Sequence, residues 1–356
     1  MKICRWLVAA LVGVSLVASA CSGGGGSADD DPTEGDLVDG ERLVSFSGAN
    51  GLKLAGTLGV PQDARNAPGV LILSSVGPTT DRDGIQDATG GDQVYKDISH
   101  AFNAAGMVTL RYDRRGIGAS KLESGTDPLY EDMIEDARGA LNFLAQRREV
   151  GSAAVAVVGH DIGGWMALRV AASDDKVKAV TLLSTPSRKL VDVHAESFRQ
   201  THGQTSADRF RSEVDILLST GTLPGPEQMA SEHQSVLGQG QDQLLKGLFE
   251  ADPLADAGRV KVPVLVTAGA LGTGVLPTDA EQMTRAIGPS AQLSVFPNLG
   301  QTLRDLPADP GSIRFDPADE STHVFGARPV IGVKRDTAAV EKVTSFLSTT
   351  LKAAKA

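Results

Sequence analysis

Short apolar segments alternate with helical segments along most of this chain, and this alternation constrains the fold more than any other feature. The runs at 69–75, 153–158 and 177–183 are almost entirely apolar, which is typical of strands buried on both faces of a parallel sheet. Segments with helical spacing follow two of them, at 93–105 and 162–172. The pattern predicts an α/β fold with a mostly parallel sheet and helices on both faces.

Two further segments complete the predicted organisation. Alternating runs at 41–46 and 52–58 flank Asn50-Gly51, a pair that favours the tight turn of a hairpin. Residues 187–257 have helical spacing without a clear strand, and they lie between two predicted strands. We therefore expect a core built from 41–186 and 258–356, with 187–257 inserted as a helical cap.

The first twenty residues have the features of an export signal. Lys2 and Arg5 precede a short apolar run, and small residues then lead to Cys21; such a run is too short for a membrane span. The segment resembles a lipobox, which implies lipidation of Cys21, although an ordinary secretory signal with a chance cysteine is the alternative. We expect a signal peptide at 1–20, a Gly/Ser-rich and acidic tether at 21–40, and a protein exported to the cell envelope and anchored to the membrane by lipid.

Composition excludes several classes of site. The formal net charge is −10 and no basic patch is visible, so a nucleic-acid partner is not expected. The only cysteines are Cys4 and Cys21. Cys4 is expected to leave with the signal and Cys21 to be acylated, so we expect no thiolate for a nucleophile or a metal site in the mature chain. No cofactor motif stands out, and we expect neither a cofactor nor a metal.

The residues that follow the 153–158 strand indicate a site. Gly159-His160-Asp161-Ile162-Gly163 joins this strand to a helix, which is the setting of the nucleophile elbow G-x-S-x-G. The central residue of such an elbow adopts a strained, positive-φ conformation, which Asp tolerates better than most residues. Asp161 occupies the position that serine occupies in the usual motif.

The chain resembles the α/β-hydrolase superfamily, and most closely its exported esterase and serine-peptidase-like branch. Beyond the elbow, the resemblance is carried by an oxyanion-loop-like segment at 77–84, a loop after the fourth strand at 111–120, and Pro186-Ser187-Arg188 before the cap. It implies an α/β-hydrolase fold with an eight-stranded sheet. It also implies a catalytic triad of a serine, an acid after strand seven and a histidine after strand eight.

All three triad positions implied by the resemblance hold other residues. Asp161 replaces the serine, Gly272 occupies the acid position and Gln301 the histidine position. No histidine lies between His233 and His323, so a small error in register would not restore the base. The backbone N–H groups of Val76 and Ile162 are the expected oxyanion donors.

Three functional hypotheses remain open. The first is a pseudo-hydrolase that binds a small-molecule ligand or ester-like substrate in a capped pocket. The second is an Asp-nucleophile hydrolase acting on an epoxide, halide or activated ester, with Asp161 as nucleophile and His323 as base. The third is an esterase whose triad is rebuilt from other residues. The charges of Asp113-Arg114-Arg115 are expected to brace loops, and the cap histidines His194, His202 and His233 to lie at the surface.

Overall fold

An eight-stranded sheet forms the centre of the computed structural model, which describes residues 37–77, 80–85, 92–123, 125–152, 154–238, 240–272, 274–304 and 336–355. The strands lie in the order β1-β2-β4-β3-β5-β6-β7-β8. β2 runs antiparallel to β1 and β4, and all other neighbouring strands are parallel. The prediction of a mostly parallel sheet is therefore confirmed. The strands are β1 (Glu41–Ser47), β2 (Lys53–Gly59), β3 (Gly69–Leu73), β4 (Val108–Tyr112), β5 (Val155–His160), β6 (Val177–Leu183), β7 (Val264–Gly269) and β8 (Ala291–Phe296).

Helices cover both faces of the sheet. The helices are α1 (Val94–Ala104), α2 (Tyr130–Ala145), α3 (Ile162–Ala171), α4 (Leu190–His202), α5 (Gln204–Thr220), α6 (Gln234–Leu237), α7 (Asp242–Glu250), α8 (Pro253–Ala257), α9 (Pro277–Ile287) and α10 (Thr337–Lys355). Alternate residues of the strands enter two apolar clusters: α1 and α10 contribute to one, and α2, α3 and α9 to the other. Burial of both faces of β3 and β5 thus explains why their sequences carry no polar alternation.

The hairpin at the start of the fold follows the predicted turn chemistry. β1 and β2 pair from Glu41↔Gly59 to Ser47↔Lys53, and Asn50 adopts a positive φ of 55° between them. Asn enters this left-handed region more readily than most residues. The expectation of a hairpin at Asn50-Gly51 is therefore confirmed.

The segment 187–257, called the cap segment below, contains α4 to α8 and no strand among its described residues. Its buried rings Phe198, Phe210 and Phe249 belong to the larger of the two apolar clusters, which is continuous with the core. The expectation that its histidines lie at the surface is wrong for two of them, because His194 and His233 are buried beside these rings.

His233 is held by polar side chains as well as by aromatic rings. Its Nδ1 lies 2.6 Å from Glu213 Oε2, and its Nε2 lies 3.0 Å from Ser206 Oγ. Buried polar groups keep such partners because an unmade hydrogen bond is costly. The three residues connect α5 to the short turn before α6.

Parts of the predicted organisation lie outside the described residues. These include the signal peptide, Cys21 and all but the last few residues of the tether. Within the described ranges, no helix is long and apolar enough to cross a membrane, and no cluster of three or more potential metal ligands occurs.

A buried ion pair connects the loop after β4 to α2 and to the hairpin. Arg115 donates from Nε and Nη2 to Asp136, at 2.7 and 2.8 Å. The same carboxylate accepts the Ala49 N–H at 2.8 Å. This confirms for Arg115 the expectation that the charges of this loop brace the structure.

Replacing Asp136 by Ala should destabilise the protein by about 3 kcal/mol, since removal of one partner leaves a poorly solvated charge. Chemical denaturation measures the change. Glu135→Ala is the matched control on the same helix, because Glu135 pairs with Arg138 at the surface and such pairs contribute at most about 1 kcal/mol. Equal losses for the two variants would contradict the assignment.

Candidate active site

The turn between β5 and α3 has the geometry of a nucleophile elbow. Asp161 adopts φ 52° and ψ −120°, so the expected positive φ is confirmed. A Cβ on Gly159 would lie 2.4 Å from the Gly163 carbonyl oxygen, and one on Gly163 would lie 2.3 Å from the Leu73 carbonyl oxygen. Both positions therefore require glycine, which allows α3 to begin directly against the end of β3.

The Asp161 carboxylate forms a short hydrogen bond to a serine on the neighbouring loop. Ser75 Oγ donates to Asp161 Oδ2 at 2.6 Å, and both side chains are buried. Burial raises the pKa of Asp161 to about 7, while the Ser75 hydroxyl and the Ile162 amide act in the opposite direction. Desolvation penalises the ionised form, so this carboxyl group changes charge near neutral pH.

A chain of hydrogen bonds holds Ser75 in place from behind. The Ser75 N–H donates to Tyr95 Oη at 2.8 Å, and Tyr95 Oη lies 2.9 Å from His160 Nδ1. His160 Nε2 lies 3.1 Å from the Gln301 carbonyl oxygen. A carbonyl only accepts, so Nε2 carries the proton, and Nδ1 of the neutral ring then accepts from Tyr95. Both ring nitrogens of His160 are therefore engaged in hydrogen bonds.

The residues predicted at the acid and histidine positions lie beside each other. A Cβ built on Gly272 would lie 3.2 Å from Gln301 Cγ. The same Cβ would lie 2.7 Å from the Val275 carbonyl oxygen, so a larger residue at 272 requires the backbone to move. The loops after β7 and β8 thus bring the two positions together.

The predicted oxyanion donors have different surroundings. The Ile162 amide acts on the carboxylate of Asp161. Val76 and Gly77 line a cavity of about 240 Å³ that also contacts the cap segment. His323, the predicted base of the Asp-nucleophile hypothesis, lies outside the described residues.

Sequence reasoning missed Ser75 and Tyr95. Ser75 lies at the end of an apolar run, and Tyr95 lies in the helix that follows. The available signal was the position of Ser75 after β3, because residues that follow parallel strands meet at one edge of the sheet.

The pKa of Asp161 predicts a pH dependence of stability. The native group holds its proton up to about pH 7, whereas the unfolded group releases it near 3.8. The folded state binds more protons between these values, so stability falls as pH rises from about 4 to 7. Asp161→Asn removes this contribution. The free energy of unfolding of the variant minus that of the native chain should therefore rise by about 1.4 kcal/mol for each pH unit across that window.

Urea denaturation of the Asn variant and the native chain at pH 4 to 8 measures the difference. Asp175→Asn is the control, because Asp175 is exposed and its removal should leave the profile unchanged. A difference between Asp161→Asn and the native chain that stays constant with pH would show that Asp161 has an ordinary pKa.

Comparisons with known proteins agree with the fold. Residues 92–300 match the family model of the serine aminopeptidases S33. Esterase EstD of Thermotoga maritima is 24% identical over 254 residues, which cover 70% of this chain and 58% of that protein. The chain therefore spans less than two thirds of the length of this curated relative.

Solved structures show the same architecture. The α/β-hydrolase GrgF of Penicillium sp. sh18 is 20% identical, with a TM-score of 0.57 over 88% of this chain and 99% of that one. An esterase of Pyrococcus furiosus, PF2001, is 14% identical, with a TM-score of 0.55 over 87% of this chain and 90% of that one. The fold, the elbow and the family match together establish that this chain belongs to the serine aminopeptidase S33 family of the α/β-hydrolase superfamily.

Proposed function

We propose that this protein is a lipid-anchored, exported member of the family that binds a small ligand beneath its cap and lacks serine hydrolase activity of the usual kind. The carboxylate of Asp161 at the nucleophile position, bonded to a hydroxyl and to no imidazole among the described residues, carries the proposal. A serine hydrolase needs a hydroxyl nucleophile, an imidazole that takes its proton and an acid that orients the imidazole. At this elbow, a carboxylate occupies the nucleophile position, and a neighbouring hydroxyl donates to it at 2.6 Å.

The surroundings of Asp161 support this interpretation. Among the described residues, no imidazole forms a hydrogen bond with the Asp161 side chain, and His160 is bonded to Tyr95 and to the Gln301 backbone. Gln301 itself has no useful basicity near neutral pH. The adjacent Gly272 has no side chain with which to orient a base.

The oxyanion site is altered as well. In the family arrangement, a backbone N–H after the nucleophile stabilises negative charge on the substrate. Here the Ile162 amide acts on the Asp161 carboxylate. When Asp161 is ionised, its charge opposes an oxyanion at the same place, which lowers the stabilisation available to a tetrahedral intermediate.

Lipid anchoring is proposed from the N-terminal sequence. A positive start, a short apolar run and small residues before Cys21 support lipidation of that cysteine. Export with Cys21→Ser should then yield a protein that leaves the membrane fraction, whereas the native chain stays in it. Fractionation followed by mass analysis of the N-terminal peptide tests this, and a native peptide without acyl chains would reject it.

A second candidate function is ester hydrolysis by a rebuilt pair, in which Ser75 is the nucleophile and Asp161 the base. The 2.6 Å contact between them favours it, as does a pKa of about 7 for Asp161, close to that of an ordinary imidazole at about 6.5. Ser75 Oγ would attack the ester carbonyl carbon while its proton passes to the Asp161 carboxylate. Asp161 would return that proton to the leaving alkoxide, and then activate water to hydrolyse the acyl-Ser75 ester.

The hypothesis of Asp161 as nucleophile has less support from the described residues. A nucleophilic carboxylate must be ionised, and the raised pKa leaves Asp161 partly protonated at pH 7. Its predicted base, His323, stays a prediction, since it lies outside the described residues.

Activity-based labelling separates the candidates. We expect the native protein to remain unlabelled by a fluorophosphonate probe and to hydrolyse p-nitrophenyl acetate at the background rate. Labelling that disappears in Ser75→Ala would overturn the main proposal and support the rebuilt pair. An acyl adduct found by mass spectrometry on Asp161 instead would support the Asp nucleophile.

A gain-of-function variant tests the register of the site. Asp161→Ser with Gln301→His places a hydroxyl and an imidazole at the two family positions and should introduce fluorophosphonate labelling. Asp161→Ser alone is the matched control and should remain unlabelled. Adding Gly272→Asp should increase the labelling less than the family pattern implies, because a Cβ at this position would lie 2.7 Å from the Val275 carbonyl oxygen.

A further inference from the structure

The cavity beneath the cap segment has two chemically different walls. One wall is apolar and is formed by α2, α6 and α7; the other is formed by the loop after β4. The apolar side chains are Met133, Val236, Leu244, Leu245 and Leu248. The charged side chains are Arg114, Arg115 and Lys121.

All three charged lining residues are cations, and no carboxylate lines the cavity among the described residues. Arg115 is neutralised by Asp132 and Asp136. Lys121 is exposed at the cavity. The positive charge that a ligand would meet therefore comes from Lys121 and Arg114.

Arg114 is a buried cation that forms no direct salt bridge in the described part of the chain, and the carboxylates of Asp113 and Asp81 act on it only from a distance. Its Nη2 donates to the carbonyl oxygens of Gly77 and Thr80, at 2.6 and 3.1 Å. Its Nε has no hydrogen-bond partner there. Burial lowers its pKa to about 10, so the guanidinium stays charged at neutral pH. A buried charge without a paired anion is unfavourable, and an anion bound in the cavity would relieve that cost.

We propose that this cavity binds an amphipathic anion, with an oxyanion headgroup near Arg114 and Lys121 and an apolar chain against α6 and α7. The inference deepens the proposed function, on which it rests for the idea that the capped pocket holds a ligand. The volume of about 240 Å³ lies below the range of about 300–1,000 Å³ for drug-sized ligands, so the chain is short. A guanidinium matches carboxylate and phosphate oxygens equally well in geometry, and both headgroups belong in the test.

Calorimetric titration of the full mature protein tests the proposal with three probes of equal chain length: octanoate, octyl phosphate and 1-octanol. We expect at least one anion to bind about tenfold or more tightly than the alcohol, since hydrogen bonds to a charged group are roughly twice as strong as neutral ones. Acetate, which has the headgroup without the chain, should not bind measurably. Equal affinity for octanol and both anions, or no binding of any probe, would overturn the proposal, and the preferred anion identifies the headgroup.

Two variants locate the charge. Lys121→Glu should weaken binding of the preferred anion about five- to tenfold and leave octanol unchanged, as expected for reversal of a partly solvated charge. Lys53→Glu is the matched control, because Lys53 is an exposed lysine of β2 that does not line the cavity. Arg114→Gln should lower the affinity for the preferred anion by tenfold or more. Its thermal unfolding midpoint shows whether it folds; if it does not, Lys121→Glu decides.

The outcome is independent of the test of activity. Fluorophosphonate labelling would contradict the proposal that serine hydrolase activity is absent, but it would not affect the predicted preference for anions. Conversely, an unlabelled protein that binds octanol and octanoate equally would keep the proposed function and overturn the inference about its ligand.

Discussion

The fold around the site depends on how closely the start of α3 approaches the ends of β3 and β5. Glycine at 159 and 163 makes this approach possible, since a single added carbon at either position would overlap a backbone oxygen. The approach forces Asp161 into its positive-φ conformation. It also places the carboxylate in contact with Ser75, because the loop after β3 lies directly beside the elbow. Burial in turn moves the pKa of Asp161 to about 7. Local backbone geometry therefore determines the electrostatics of the site.

A layer of ion pairs supports this arrangement from the side of β4. Asp113 accepts from the Arg82 guanidinium at 2.7 Å, with both groups buried. Arg111 bridges Asp83 and Glu41, each at 2.6 Å. Burial and the partners His100 and Arg111 together leave the pKa of Glu41 at about 2. Such pairs contribute little net stability against apolar packing, but removing one partner is costly. Their effect is to fix the loops after β3 and β4, the second of which forms the cationic wall of the cavity.

The sequence predicted features that depend on neighbours along the chain. The hairpin at Asn50-Gly51, the strand–turn–helix at Asp161 and the helical character of 187–257 all follow from local spacing. The contact of Ser75 with Asp161 was not predictable in this way, because it joins residues that follow two different strands through the packing of loops.

The sequence did not predict helix α9, because its apolar stripe is sparse. Only Asp279, Ala280, Met283 and Ile287 are buried in it. His233 was placed at the surface for a similar reason: the rings of Phe198 and Phe210 that enclose it come from other turns of the chain.

The contacts of His233 have a consequence for how the cavity could be reached. Ser206, His233 and Glu213 connect α5 to the turn before α6, and the rings of Phe198, Phe210 and Phe249 pack around the same point. Separating these elements would expose apolar rings and leave polar groups unpaired, which costs more than moving the segment as one piece. Any opening of the cavity therefore has to preserve these contacts, so the elements around His233 are expected to stay together as one packed unit.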